Sequence, residues 1–123
     1  MGGPSEGGMV MEGCLFCRIA AKELPTQIIA EDEDTLAFTD IRPQAPVHVL
    51  LIPKVHVDSL AEAGEKREML GRLLDTARGL AAKLGLAEKG FRVVINTNDD
   101  GGQTVHHLHL HILGGRQMRW PPG

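Results

Sequence analysis

Four of the chain's six histidines lie in the stretch V-H-H-L-H-L-H-I-L at 105–113. Imidazole at this density suits three tasks: holding a metal ion, sensing protons near neutrality, or attacking phosphorus. If the stretch is a strand, alternation puts His107, His109 and His111 on one face with Val105 and Leu113. His106, Leu108, Leu110 and Ile112 then share the other face, an apolar one with His106 as its outlier. Same-face neighbours on a strand stand about 6–7 Å apart, so the outer pair of the three is about 13 Å apart at the backbone. Zinc–nitrogen bonds are about 2.0–2.1 Å, so the three cannot converge on one ion, although one member can join ligands from elsewhere. A nucleophile flanked by two assisting imidazoles accounts for the whole row. The stretch D-G-G-Q-T at 100–104 stands just upstream. Its glycines allow backbone N–H groups to approach a phosphate, and Gln103 and Thr104 add hydrogen-bonding side chains. The plainer alternative is three surface histidines that align by accident; three in register beside such a turn argue against it.

The elements that must position this row are legible in outline. Apolar spacing over Leu15–Ala21 predicts a short helix that ends before Pro25. Residues 28–30, 35–39, 47–52, 91–96 and 105–113 read as strands, and the prolines of R-P-Q-A-P at 42–46 mark a loop. Residues 65–84 carry the one strong helical pattern. Met69, Leu70, Leu73, Leu74, Ala77, Leu80, Ala81 and Leu84 recur at spacings of three and four, and Gly85 is a natural stop. One long helix, one short N-terminal helix and a largely antiparallel sheet of about five strands make an α+β domain over 12–123. Residues 1–11, glycine-rich, read as a flexible tail in which Met9 or Met11 could be alternative starts.

At 123 residues the chain is one domain with room for a real core. A net charge of −3 offers no basic field, and 3% aromatic residues offer few stacking platforms, so a nucleic-acid binder is not expected. No apolar run approaches the roughly 18 residues of a membrane span. The N-terminal stretch has no secretory or myristoylation pattern, which points to the cytoplasm. In that setting Cys14 and Cys17, three apart, suggest metal or redox chemistry rather than a structural disulfide. Two small inert buried residues are the plainer alternative. His56 reads as structural or exposed, and the acidic run 31–34 as a solvated turn.

H-L-H-L-H-I-L at 107–113, G-G-Q-T-V before it and G-G-R-Q-M-R-W-P-P-G after it resemble the histidine-triad superfamily, in its nucleotide-binding branch. F-T-D-I-R-P-Q-A-P-V-H-V-L-L-I-P-K at 38–54 and C-L-F-C-R-I at 14–19 extend the resemblance over about residues 13–123. It implies a purine nucleoside phosphoramidase that hydrolyses adenosine 5′-monophosphoramidates and aminoacyl adenylates to AMP through a nucleotidyl-histidine. A nucleotide-binding scaffold with incidental hydrolysis is the alternative. By the resemblance, His109 is the nucleophile, with its other nitrogen donating to a backbone carbonyl of the same strand. His111 contacts the phosphoryl oxygens, His48 supports the nucleophile from the neighbouring strand, and Thr104 stands near the leaving amine. Asp40, beside Ile41, accepts from the ribose; Phe16, Ile19 and Phe38 form the base slot. Asn96, Gly102, Gln103, Thr104 and Val105 hold ribose and phosphate, with AMP or GMP as ligand. The same resemblance implies a homodimer, with Trp120 reaching the partner's site. No cofactor is required, but a structural zinc on Cys14, Cys17, His48 and His107 is implied for members that keep the cysteine pair. That ligand set conflicts with His48 as support for His109.

Overall fold

The computed structural model describes residues 13–123; the expected tail at 1–11 lies outside them. The elements run α1 (Leu15–Ala20), β1 (Ile28–Glu31), β2 (Thr35–Thr39), β3 (Val47–Pro53), a single 3₁₀ turn (Leu60–Glu62), α2 (Arg67–Lys83), β4 (Phe91–Val94) and β5 (Leu110–Gly114). The five strands form one antiparallel sheet in the order β1-β2-β3-β5-β4. This is the α+β architecture expected.

The sheet is covered on both faces, which is why β2 and β3 are almost wholly apolar rather than alternating. Ala37, Val49, Leu51, Leu110 and Ile112 face α2 and meet Leu73, Ala77, Leu80 and Ala81 of its stripe. Leu36, Phe38, Leu50 and Ile52 face the other way, onto Phe16, Cys17 and Ile19 of α1. Leu74, expected on the helical stripe, is 53% exposed, because the stripe is narrower than its apolar residues allow. The stop at Gly85 is as expected. Its φ of +80° needs glycine, and Gly85 N–H and Leu86 N–H donate to the carbonyls of Ala82 and Ala81 in a Schellman closure.

The sheet differs from expectation at the histidine row. β5 begins at Leu110, so residues 105–109 are not in the ladder. They turn instead to the segment after β3: Leu108 N–H donates to the Val57 carbonyl at 2.7 Å, and the Gln103 amide donates to the Asp58 and Val105 carbonyls at 2.7 and 3.0 Å. Alternation still holds where it matters for the core, since Leu108, Leu110 and Ile112 are all buried.

Ile112 is fully buried between Val49 and Val93 on the α2 face. Ile112→Ala should lower unfolding free energy by about 2–5 kcal/mol in denaturant melts, whereas Leu74→Ala should change it by less than about 0.5 kcal/mol.

Candidate active site

The register of β3 on β5 sets the site. His48 pairs with Leu113 and Leu50 with His111, so His48 and His111 stand on the α1 face. Their rings meet, with His48 Nε2 and His111 Nδ1 2.9 Å apart. His109, just outside the ladder, lies against the same face, its ring 5.1 Å from that of His111 between centroids. The Phe16 ring from α1 packs at a steep angle to those of His109 and Phe38, with centroids 5.0 Å and 5.4 Å away. Phe38 is thus both core and wall of the site.

Each histidine here has a partner whose chemistry decides its tautomer. A carbonyl can only accept, so His109 Nδ1, 2.6 Å from the His107 carbonyl, carries the proton and Nε2 keeps its lone pair. The Gln44 backbone N–H can only donate, at 3.0 Å to His48 Nδ1. The proton of His48 is therefore on Nε2, from which it donates to His111 Nδ1. His111 in turn holds its proton on Nε2. The sum is one imidazole with a free basic nitrogen beside another that can donate. His48 reaches the row at His111 rather than at His109, where support was expected.

Electrostatics keeps all four rings neutral at pH 7. Burial is the first cause at each. It holds His107 and His111 down at about 4, with neighbouring imidazoles adding to the effect. It lowers His48 and His109 as well, against the opposing charge of Asp40. Asp40 receives the Arg42 backbone N–H at 2.8 Å and approaches His48 Nε2 at 3.4 Å.

A cleft of about 700 Å³ opens in front of these rings. Phe16, Ile19, Phe38, Asp40 and Ile41 line it from one side; Thr104, Val105, His109 and His111 line it from the other. Leu15, Leu24, Pro25, Thr26, Gln27, Thr39 and Leu50 complete the wall, none of them expected from sequence because nothing in their types or spacing marks a binding surface. Asn96, Gly102, Gln103 and Trp120 do not line it. The Gln103 amide spans the Asn98 N–H and the carbonyls of Asp58 and Val105, which closes the glycine turn itself. Trp120 is 81% exposed.

Behind the cleft, four donor atoms gather within 4.8 Å of one another: Cys14, Cys17, His56 and His107. His48 is not among them. The expectation of His48 as a ligand is corrected, because β3 carries it to Asp40 and His111, while the chain beyond Pro53 brings His56 to the cysteines. The conflict over His48 thereby disappears. His107 Nδ1 is 3.3 Å from Cys14 Sγ and 3.6 Å from Cys17 Sγ, and His56 Nδ1 is 3.4 Å from Cys17 Sγ. A tetrahedral zinc, with bonds of about 2.3 Å to sulfur and 2.0–2.1 Å to nitrogen, needs sulfur–nitrogen edges of about 3.5 Å. The four residues fit such an ion. Both imidazoles also direct the correct nitrogen: His107 Nε2–H donates to the Pro53 carbonyl at 2.8 Å and His56 Nε2–H to Asp58 at 2.6 Å, leaving Nδ1 for the metal. In the sequence His56 reads as structural or exposed, and nothing there marks it as a ligand.

A family model for the HIT domain matches residues 21–118. The chain belongs to the HIT domain family. This HIT domain is 53% identical over 112 residues to the Arabidopsis thaliana protein named Adenylylsulfatase HINT1, covering 89% of this chain and 76% of that one. A 14 kDa zinc-binding protein of Brassica juncea is 52% identical over 112 residues, 89% of this chain and 98% of its own. The crystal structure of a HIT family hydrolase from Legionella pneumophila is similar at a TM-score of 0.88 and 52% identity, covering 90% of this chain and all of that one. Among the described residues, no helix is long and apolar enough to cross a membrane.

The neutral histidines tie the HIT domain's stability to pH. Between the ordinary value of 6.5 and the folded value of about 4, the unfolded chain binds protons at His107 and His111 that the folded chain does not. Stability should be level above pH 6.5 and fall as pH drops through that window, read as a lower Tm at pH 5 than at pH 7.

Proposed function

We propose that the protein is a nucleotide hydrolase of the phosphoramidase type, releasing AMP from adenosine 5′-monophosphoramidates and aminoacyl adenylates. The observation that carries this is the state of His109: neutral, with Nδ1–H tied to the His107 carbonyl and Nε2 left as a lone pair beside the cleft. In this reading Nε2 attacks the α-phosphorus and a nucleotidyl-histidine forms as the bond to the leaving group breaks: P–N in a phosphoramidate, whose amine departs with a proton taken from solvent, and P–O in an aminoacyl adenylate, whose carboxylate departs as the anion. His111 donates from Nε2 to a phosphoryl oxygen, and His48 holds it in that tautomer. Thr104, exposed at the rim, supplies a hydroxyl near the leaving amine. Water then attacks the phosphorus and returns His109 to the neutral form. Phe16, Ile19 and Phe38 take the purine, and Asp40 the ribose hydroxyls.

Zinc on Cys14, Cys17, His56 and His107 is structural in this reading, supported by the fit of their donor atoms and by the zinc-binding name of the Brassica relative. A homodimer is supported by the outer edge of β4, which is a sheet edge, with Phe91 exposed upon it, and by Trp120, whose ring lacks cover. The Arabidopsis relative's name favours a second reaction at the same site, release of sulfate from adenylyl sulfate by attack on the same phosphorus. A scaffold role does not require a nucleophile whose tautomer is set in advance, which favours catalysis over that alternative.

His109→Ala should lower turnover of an adenosine phosphoramidate by about 10³-fold or more, the usual cost of removing a covalent nucleophile. Wild-type turnover by that variant would end the mechanism. Rates on phosphoramidate and adenylyl sulfate, compared side by side, separate the two reactions. Protein purified without chelator should carry one equivalent of zinc by elemental analysis, and Cys17→Ser should lose it.

A further inference from the structure

His107 belongs to two constellations at once. Its ring stands among the Cys14, Cys17 and His56 donors, and its backbone carbonyl accepts the bond that sets the tautomer of His109. The same is true of the segment Cys14–Cys17. Its two sulfurs belong to the cluster, while Phe16 between them faces the His107 ring at 6.0 Å and the His109 ring at 5.0 Å. Phe16 also lines the cleft. Whatever holds the four donors together therefore holds both contacts of the nucleophile.

We infer that Cys14, Cys17 and His56 are positioning residues for His109, acting through a metal ion shared with His107. The inference rests on the zinc and nucleophile readings above. Its physical basis is the weakness of what else could hold these parts. α1 has six residues, too few to be stable as a helix by itself, and its N-cap is the Cys14 sulfur, a weak acceptor 3.3 Å from Cys17 N–H. The His107 peptide lies in the irregular segment ahead of β5 rather than in the sheet ladder. Four metal–ligand bonds would fix both pieces against the end of β3. Without them, the His107 peptide keeps the bonds of its ring to the Pro53 carbonyl and of Leu108 N–H to the Val57 carbonyl, and Phe16 keeps its packing on Phe38, but only weak thiol contacts tie the two pieces to each other. A second cleft, of about 410 Å³, reaches Cys14, His56 and Asp58 from outside.

The full-length protein is stripped with a chelator, then reconstituted with zinc. Zinc stoichiometry, the ¹⁵N signals of the His109 ring and the affinity for AMP are measured on both forms. Reconstituted protein should show a single His109 tautomer protonated at Nδ1, and should bind AMP about tenfold or more tightly than stripped protein. In the stripped form the His109 signals should average between tautomers. His56→Ala should behave as stripped protein even in excess zinc. His56→Cys, which can complete a three-thiolate, one-imidazole zinc site, should restore both readouts. A merely structural zinc would leave the His109 tautomer unchanged in every folded form. Stoichiometric zinc with identical His109 signals in the stripped and reconstituted protein would overturn the inference and leave the zinc reading standing. Failure of reconstituted protein to bind zinc would overturn both. If no form binds AMP, the nucleotide reading fails separately, and the His109 signals alone decide the coupling.

Discussion

The site depends on one hydrogen bond, from His109 Nδ1–H to the carbonyl of His107 two residues before it. A free imidazole exchanges its proton between nitrogens, and in the other tautomer the nitrogen beside the cleft carries a proton instead of a lone pair. The carbonyl settles the matter because it has no proton to give. The bond also lies in the segment 107–109 that runs outside the ladder. β5 accordingly starts at Leu110, and Leu108 N–H finds the Val57 carbonyl instead of a strand partner.

Burial and neutrality belong to the same arrangement. Four imidazoles near one another could not all be charged in a site so poorly hydrated, and burial pushes each below its ordinary value. The polar atoms this takes out of water are not abandoned: among the described residues no buried side-chain nitrogen or oxygen lacks a partner. Most of those partners are backbone groups at element ends, such as Gln44 N–H, the Pro53 carbonyl and the His107 carbonyl. A backbone group held by its neighbours is a fixed reference, so it orients a ring with little freedom left over.

The two faces of the sheet divide the work. The face toward α2 is apolar throughout and supplies the core that keeps β3 and β5 in register. The face toward α1 is apolar only in part, and it carries Phe16 and Phe38 beside the imidazoles. Register is what converts one into the other. A slip of β5 by a single residue on β3 would send His111 to the α2 side, away from His48, and bury it in hydrocarbon. The apolar core thus opposes any register that would dismantle the site.

Most of the architecture was legible in the residues. The stripe of α2, its stop at Gly85, the proline-bounded β3 and the assignment of Leu108, Leu110 and Ile112 to the core all follow from local periodicity and backbone chemistry. The cleft residues Phe16, Asp40, His109 and His111 were legible through motif and resemblance rather than through spacing. Three things were not. Alternation could not foresee that residues 105–109 leave the sheet, because their partners lie beyond β3, about fifty residues away in the chain. The part the Gln103 amide plays in closing its own turn was not visible either, because its partners Asn98, Asp58 and Val105 meet it only in the folded chain. The fourth member of the cysteine cluster turned on a difference in position along one segment. His48 lies inside β3, where pairing with β5 commits it to His111; His56 lies past the strand's end, where the chain is free to turn back to α1. By itself the sequence determined which chemistries were present and which elements would carry them. Only the tertiary structure decided which partners each histidine meets, because that depends on sheet register and on the path of the chain after a strand, and neither is encoded in local spacing.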